Sequence, residues 1–257
     1  MNVVTELQCE AELYDFPASF GQEQLWYLHE MAPDSSAYNI AFAFHLRGGL
    51  DRTALERAFA ALIQRHDALR TGFAVVDEQL RQIVRGSADF RLETVDLREL
   101  PQPARERELA AMRRDCARHR FTLAEAPLLR VRLACTAEDR HVLLMCVHHI
   151  VVDHLSVLQL GRELEQLYAA ARAGGDIREG GDDRLQFPDY VVWQRERMSD
   201  EVIAQKLEHW HATLGARPPT LDLPTDRPRP ASQSFRGDEL QVCLPRELSA
   251  ALRQHAQ

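Results

Sequence analysis

Two adjacent histidines with an aspartate four residues on, His148-His149-Ile150-Val151-Val152-Asp153, and Ser156 just beyond form the most chemically suggestive stretch of this chain. The pair sits where an apolar run, Val142 to Val147, gives way to helical periodicity from Leu155. An imidazole at the end of a buried strand is placed to handle a proton near neutral pH. Adjacent side chains on an extended chain point to opposite faces, so only one of the two histidines faces a site easily. The aspartate is placed to fix the local backbone or to orient a ring. A zinc site built from His148, His149 and Asp153 is rejected, because neighbouring histidines diverge and no fourth ligand stands at a usual spacing.

The elements around this stretch alternate between periods of two and 3.6, an α/β pattern. Ile40, Phe42, Phe44 and Leu46 alternate as on a half-buried strand, and Asp51 then caps a helix with Leu55, Ala58, Phe59 and Leu62 on one face. Strand-like runs at Gln79–Val84 and Phe90–Val95 precede a charged helix from Pro103 to Arg118. Leu128–Cys135 and His141–Val147 read as paired strands around the turn Thr136–Arg140. A helix over Leu155–Arg172 follows, with Leu160, Leu164, Leu167 and Tyr168 on its dry face and Arg162 and Glu165 on its wet one. Gly174, Gly175, Gly180 and Gly181 mark a surface loop. Five prolines between Pro218 and Pro230 exclude a continuous helix or central strand there, after which Gln241–Leu244 reads as a strand and Pro245–Gln257 as a helix.

The composition narrows the function classes. With 257 residues, 45% hydrophobic and 27% charged, the chain has the make-up of an ordinary soluble globular protein. A net charge of −8 without a basic stripe argues against nucleic-acid binding. Lys206 is the only lysine, a bias that reflects base composition more than chemistry. The cysteines Cys9, Cys116, Cys135, Cys146 and Cys243 form no Cys-x-x-Cys pair, and Cys135 and Cys146 lie in apolar runs as small hydrophobes. Glu6, Glu10, Glu12 and Asp15 are unlike a signal peptide, and no apolar run approaches the roughly 20 residues that span a bilayer. No membrane association and a cytoplasmic location are expected.

Three further segments accompany the double histidine: Ser19-Phe20-Gly21-Gln22-Glu23-Gln24-Leu25-Trp26-Tyr27-Leu28 with Ala37-Tyr38-Asn39-Ile40; Arg65-His66-Asp67-Ala68-Leu69-Arg70-Thr71-Gly72-Phe73; and Phe187-Pro188-Asp189-Tyr190-Val191-Val192-Trp193. Their order and spacing resemble the first four core motifs of condensation domains of nonribosomal peptide synthetases. Leu223-Pro224-Thr225-Asp226-Arg227-Pro228-Arg229-Pro230 resembles the segment joining the two halves of such domains. The resemblance covers essentially the whole chain but about the first half of the family's domain. It implies an α/β, two-layer α+β lobe like chloramphenicol acetyltransferase, a mixed sheet packed by helices. The expected division is an N-terminal lobe over 1–215, an interlobe linker over 216–236 and the truncated start of a C-terminal lobe over 237–257.

In that family the amine of an acceptor aminoacyl thioester attacks a donor acyl thioester, each carried on the phosphopantetheine arm of a carrier protein. The partners implied are donor and acceptor peptidyl carrier proteins (or an acyl carrier protein as donor), an adjacent adenylation domain and the C-terminal lobe, with no cofactor held directly. By resemblance His149 meets the acceptor amine, as a base or as a hydrogen-bond anchor. His148 is expected to be structural, as is Asp153, paired with Arg65 or Arg70 because a buried carboxylate needs such a partner. His154 departs from the glycine usual after the aspartate. It either sits at φ > 0, at a cost of about 1–2 kcal/mol, or adopts an ordinary conformation with its ring in the channel mouth. Ser156 is expected to cap the following helix, with the substrate channel as its other place. Trp26, Tyr27, Tyr190 and Trp193 are expected in core or lobe-interface packing. Val157 stands where epimerization domains carry tryptophan, and heterocyclization domains replace the histidines, so a condensing member is the leading expectation. A non-catalytic docking module and a stand-alone acyltransferase of the same fold are the alternatives.

Overall fold

The computed structural model describes residues 12–175, 177, 185–215, 217, 221–231 and 242–256. In chain order the elements are β1 (Leu13–Pro17), α1 (Phe20–Met31), β2 (Asn39–Arg47), α2 (Arg52–Arg65), β3 (Thr71–Val76), β4 (Gln79–Arg85), β5 (Glu93–Asp96), α3 (Gln102–Ala117), β6 (Leu129–Ala137), β7 (Arg140–His148), α4 (His154–Arg172), α5 (Phe187–Arg197), α6 (Asp200–Leu214) and α7 (Arg246–His255). The chain packs as two units, Met1–Leu221 and Asp222–Gln257.

In the first unit the mixed sheet has the order β2-β7-β6-β5. β7 is antiparallel to both neighbours, and β5 joins β6 in parallel. The expected alternation of Ile40, Phe42, Phe44 and Leu46 falls in β2, an edge strand, which is why Phe44 remains 45% exposed. β7 is covered on both faces and is buried almost throughout, as a continuous apolar run requires. The strand expected at Gln79–Val84 is β4, the centre of a separate antiparallel sheet β1-β4-β3 whose other two strands are not foreseen from the periodicity. β1 has no apolar alternation to betray it, and Leu13 and Tyr14 are exposed.

α2 buries Leu55, Ala58, Phe59 and Leu62, and the Asp51 carboxylate accepts from Ala54 N–H at 2.9 Å, the expected cap. α4 lays Leu160, Leu164, Leu167 and Tyr168 against the core and leaves Arg162 and Glu165 in solvent. Some boundaries differ. Phe90 lies outside β5, and its ring packs on Phe59 with centroids 5.3 Å apart. Among the expected aromatic packing residues, Trp26 packs on the core, whereas Tyr27, Tyr190 and Trp193 are exposed and so are not core residues. Phe187, Tyr190 and Trp193 instead form a ladder on α5, with the Arg197 guanidinium 4.9 Å from the Trp193 ring centre. Gly174 ends α4 at φ +70, a left-handed conformation suited to glycine, while Gly180 and Gly181 lie outside the described residues.

In the second unit residues 222–231 are irregular, as their prolines dictate. The strand expected at Gln241–Leu244 is not formed over 242–244, and Gln241 lies outside the described residues. α7 begins directly after Pro245, whose fixed φ suits a helix start.

Two glycines separate backbone need from conformational slack. A Cβ on Gly72 in β3 would lie 2.6 Å from the Ala124 carbonyl oxygen, whereas one on Gly161 in α4 would meet nothing within 4 Å. Gly72→Ala is expected to lower stability by about 1–3 kcal/mol, and Gly161→Ala to raise it by about 0.5–1 kcal/mol. Urea unfolding midpoints of the two variants check this.

Candidate active site

The end of β7 is fixed from both sides. His148 N–H donates to the Leu128 carbonyl at 3.0 Å, and His149 N–H donates to the Tyr38 carbonyl at 2.8 Å. The chain then turns, with Val151 N–H donating to the His148 carbonyl at 3.2 Å. Side-chain alternation across this anchored strand end sends the two histidines apart. His148 is 4% exposed and His149 is exposed. The His148 ring lies edge-on to His29 and Phe121, at centroid distances of 6.0 and 6.1 Å. Its Nδ1 accepts from Ile150 N–H at 3.2 Å. Burial, reinforced by the neighbouring His29 and His149, holds its pKa down at about 4. His148 is a neutral packing residue that also closes the turn.

His149 enters a cavity of about 450 Å³ whose wall includes Gln22, His66, Asp153, Ser156 and Gln159. The first motif reaches this wall through a buried amide pair. Ser19 and Gln22 form a capping box at the start of α1, and Gln22 Nε2 donates to Gln82 at 2.9 Å and to the Ile150 carbonyl at 3.4 Å. Gln82 Nε2 in turn donates to the Pro17 carbonyl at 2.8 Å. Just before the fourth motif, Gln186 does the same for the second: it accepts from Asp67 N–H at 3.1 Å and donates to the Arg65 carbonyl at 3.3 Å. Burying neutral amides that are fully bonded costs far less than burying charges.

The expected ion pair between Asp153 and an arginine is not formed. Asp153 is exposed and is the N-cap of α4; its Oδ1 accepts from Ser156 N–H at 2.7 Å and from the Ser156 hydroxyl at 2.6 Å. Those two bonds hold its carboxyl below the usual range. The cap is therefore Asp153 and not Ser156, whose side chain lies at the third helical position and on the cavity wall. Arg70 pairs instead with Asp67 at 2.5 Å, and Arg65 with Glu163 at 3.3 Å. His154 is the first residue of α4 and is absent from the positive-φ positions, so it carries no left-handed strain. It is exposed and does not line the cavity.

Sequence reasoning assigns no role to two residues here, one on this wall and one behind it. Glu163, 8% exposed and just behind the wall, accepts from His66 Nε2 at 2.9 Å, Arg65 Nη1 at 3.3 Å and Gln159 Nε2 at 2.9 Å. Burial pushes its carboxyl up, but the bonds from Gln159, His66 and Arg65 outweigh it and hold the group below its ordinary value. Its place three residues after Leu160 and four before Leu167 puts it beside the dry stripe of α4, a signal available in the sequence. His66 lies on the wall itself, inside the second motif.

The condensation-domain profile matches residues 14–257. This chain belongs to the condensation-domain family. It is 39% identical over 237 residues to a linear gramicidin synthase of Brevibacillus parabrevis, a match covering 92% of this chain and 3% of that protein. It is 36% identical over 243 residues to malpinin synthetase of Mortierella alpina, covering 95% of this chain and 3% of that protein. Among solved structures it resembles the X-domain solved in complex with OxyB from teicoplanin biosynthesis, at 31% identity and TM-score 0.74, over 86% of this chain and 48% of that one. The starter condensation domain of rhizomide synthetase RzmA, at 23% identity and TM-score 0.68 over 79% of this chain and 48% of that one, shares the fold. The chain thus spans about half the length of these condensation-type structures and a small part of the synthetases it matches. The chloramphenicol-acetyltransferase-like α/β architecture implied by the motifs is the one found.

The neutral, buried His148 gives this condensation-family lobe a defined response to acid. Folded His148 takes up its proton only near pH 4 against an ordinary value of 6.5, so the unfolded chain binds more protons in between. Its contribution is intact above pH 6.5 and is lost as pH falls toward 4, by about 3 kcal/mol in the limit. Urea unfolding from pH 7 to pH 4 is expected to show a steeper loss in the wild type than in His148→Gln.

Proposed function

We propose that this chain is the N-terminal half of a condensation domain that joins a donor acyl thioester to the amine of an acceptor aminoacyl thioester. The observation that carries this reading is the placement of His149. It is the exposed member of the pair, anchored at the end of a doubly paired strand and facing a cavity walled by residues of all four motifs.

The chemistry asks for an aligned nucleophile, removal of a proton and relief of charge on the carbonyl oxygen. An α-amino group has an ordinary pKa of about 7.7–8, so a useful fraction is neutral before any base acts. His149 then serves by accepting a hydrogen bond from the amine and aligning its lone pair with the thioester carbon. Asp153 contributes by starting α4 in a fixed place, and His148 by filling the interior behind the turn. Both substrates arrive on phosphopantetheine arms of carrier proteins, a peptidyl carrier for the acceptor and a peptidyl or acyl carrier for the donor. An adjacent adenylation domain loads the carrier, in the cytoplasm, and the second lobe supplies the facing wall of the tunnel. His154 plays no part, because its ring lies off the cavity.

A second reading has one observation in its favour: the X-domain of the same fold is solved in a complex with another protein, OxyB. On that reading the lobe docks a partner and joins nothing.

Single-turnover amide formation between loaded carrier proteins, followed by intact-protein mass spectrometry, separates the two. This chain alone is expected to give little or no product, and the chain joined to a C-terminal lobe to give product. His149→Ala in the two-lobed protein is expected to lose about 10²-fold or more, and His154→Gly to leave the rate unchanged. Binding of a partner without product from any two-lobed form would establish the docking reading.

A further inference from the structure

The cavity that His149 enters has a second histidine on its wall, and that one has a carboxylate behind it. His66 follows α2 directly, in extended backbone, with its side chain 22% exposed. Its Nε2 lies 2.9 Å from Glu163 Oε2, and Glu163 does not itself line the cavity. Glu163 is held as a carboxylate by Gln159, His66 and Arg65 together. An acceptor-only carboxylate on Nε2 requires the hydrogen there, so in neutral His66 the lone pair belongs to Nδ1. Nδ1 has no hydrogen-bond partner among the described residues.

This is the arrangement in which an acid fixes the tautomer of an imidazole and steadies the imidazolium it becomes. His149 has no carboxylate bonded to its ring. Its bond among the described residues is the backbone one to Tyr38, and Asp153, whose charge does interact with His149, accepts hydrogen bonds from Ser156. Of the two histidines on this wall, His66 is the one whose ring is bonded to a carboxylate.

We propose that His66, backed by Glu163, is the residue of the condensation site that takes the proton from the acceptor amine. The proposal rests on the amide-forming reading above. The acceptor nitrogen bonds to the thioester carbon, the carbon–sulfur bond breaks with its electron pair on sulfur, and the proton lost by nitrogen passes to Nδ1 of His66. The imidazolium then returns that proton to the departing thiolate, so the step needs no further reactant. The division of labour is that His149 aligns the amine and His66 carries its proton. The charged groups around His66 are Glu163 from α4 and Arg65 and Asp67 on its own segment, with Gln186 bonding both of those neighbours.

The test has two arms. In this chain, nitrogen-15 NMR of the histidine rings, assigned with His66→Asn, is expected to show the Nε2–H tautomer for His66 above its titration; the Nδ1–H tautomer would overturn the proposal. In the two-lobed protein, His66→Asn is expected to slow single-turnover amide formation by about 10²-fold with carrier binding unchanged. Glu163→Gln keeps an acceptor for Nε2–H but removes the charge that steadies the imidazolium. It is expected to slow the reaction by about tenfold and to move the acid limb of the pH–rate profile to lower pH. A normal rate in His66→Asn beside an inactive His149→Ala overturns this proposal alone, whereas no product from the wild type overturns the amide-forming reading and this proposal together. If His66→Asn proves unfolded by circular dichroism, Glu163→Gln decides: an unmoved acid limb refutes the role.

Discussion

The site depends on one constraint, the way β7 ends. Because β7 is paired on both edges, its last amide and the one that follows are claimed by carbonyls from different directions, Leu128 for His148 and Tyr38 for His149. A strand anchored on both sides cannot rotate about its axis, so the alternation of side chains becomes a fixed instruction. A one-residue slip would bury His149 and expose His148, and the packing of His148 against His29 and Phe121 opposes it. Burial also keeps His148 uncharged, which lets a titratable group sit in the interior at neutral pH without a counter-ion.

Around that strand end the motifs act through amides more than through charges. Gln22 links the first motif to Gln82 and to the backbone after the histidines, and Gln186 links the start of α5 to the backbone of the second motif. A glutamine both donates and accepts, so it can bridge two backbone segments at the cost of an ordered side chain and without the desolvation of an ion. The exceptions are the buried Arg70, paired with Asp67, and Glu163, a buried charge with three donors directed at it. Its isolation would be expensive, which makes its bonds to Arg65, His66 and Gln159 a rigid unit rather than a set of independent contacts.

How much of this is legible in the sequence follows from how local each determinant is. The orientation of the histidine pair, the Asp51 cap and the dry face of α4 depend on periodicity and on neighbours within a turn, and all three are in the structure as the residues suggest. The pairing of Arg65 with Glu163 depends on how α4 packs on α2, which periodicity does not encode, whereas Arg70 and Asp153 take local partners three residues away, Asp67 and Ser156. The strand at β1 escapes notice because its residues are exposed or half-buried and pair at long range with β4. Glu163 is easily passed over because acids on a charged helix are ordinarily solvated, and only its phase relative to Leu160 and Leu167 distinguishes it from Glu165.

The fate of Asp153 shows which of two electrostatic demands prevails. A helix start exposes backbone N–H groups that lack partners, with a positive potential, and an aspartate at that position answers both at once. An ion pair with Arg65 or Arg70 would require the same carboxylate to turn inward, to abandon two short bonds to Ser156 and to shed water. Meanwhile both arginines have nearer acids, Asp67 three residues before Arg70 and Glu163 opposite Arg65. The local cap therefore wins, and it leaves His149 without a carboxylate bonded to its ring. The only acid bonded to a histidine of this cavity wall, among the described residues, is the one behind His66.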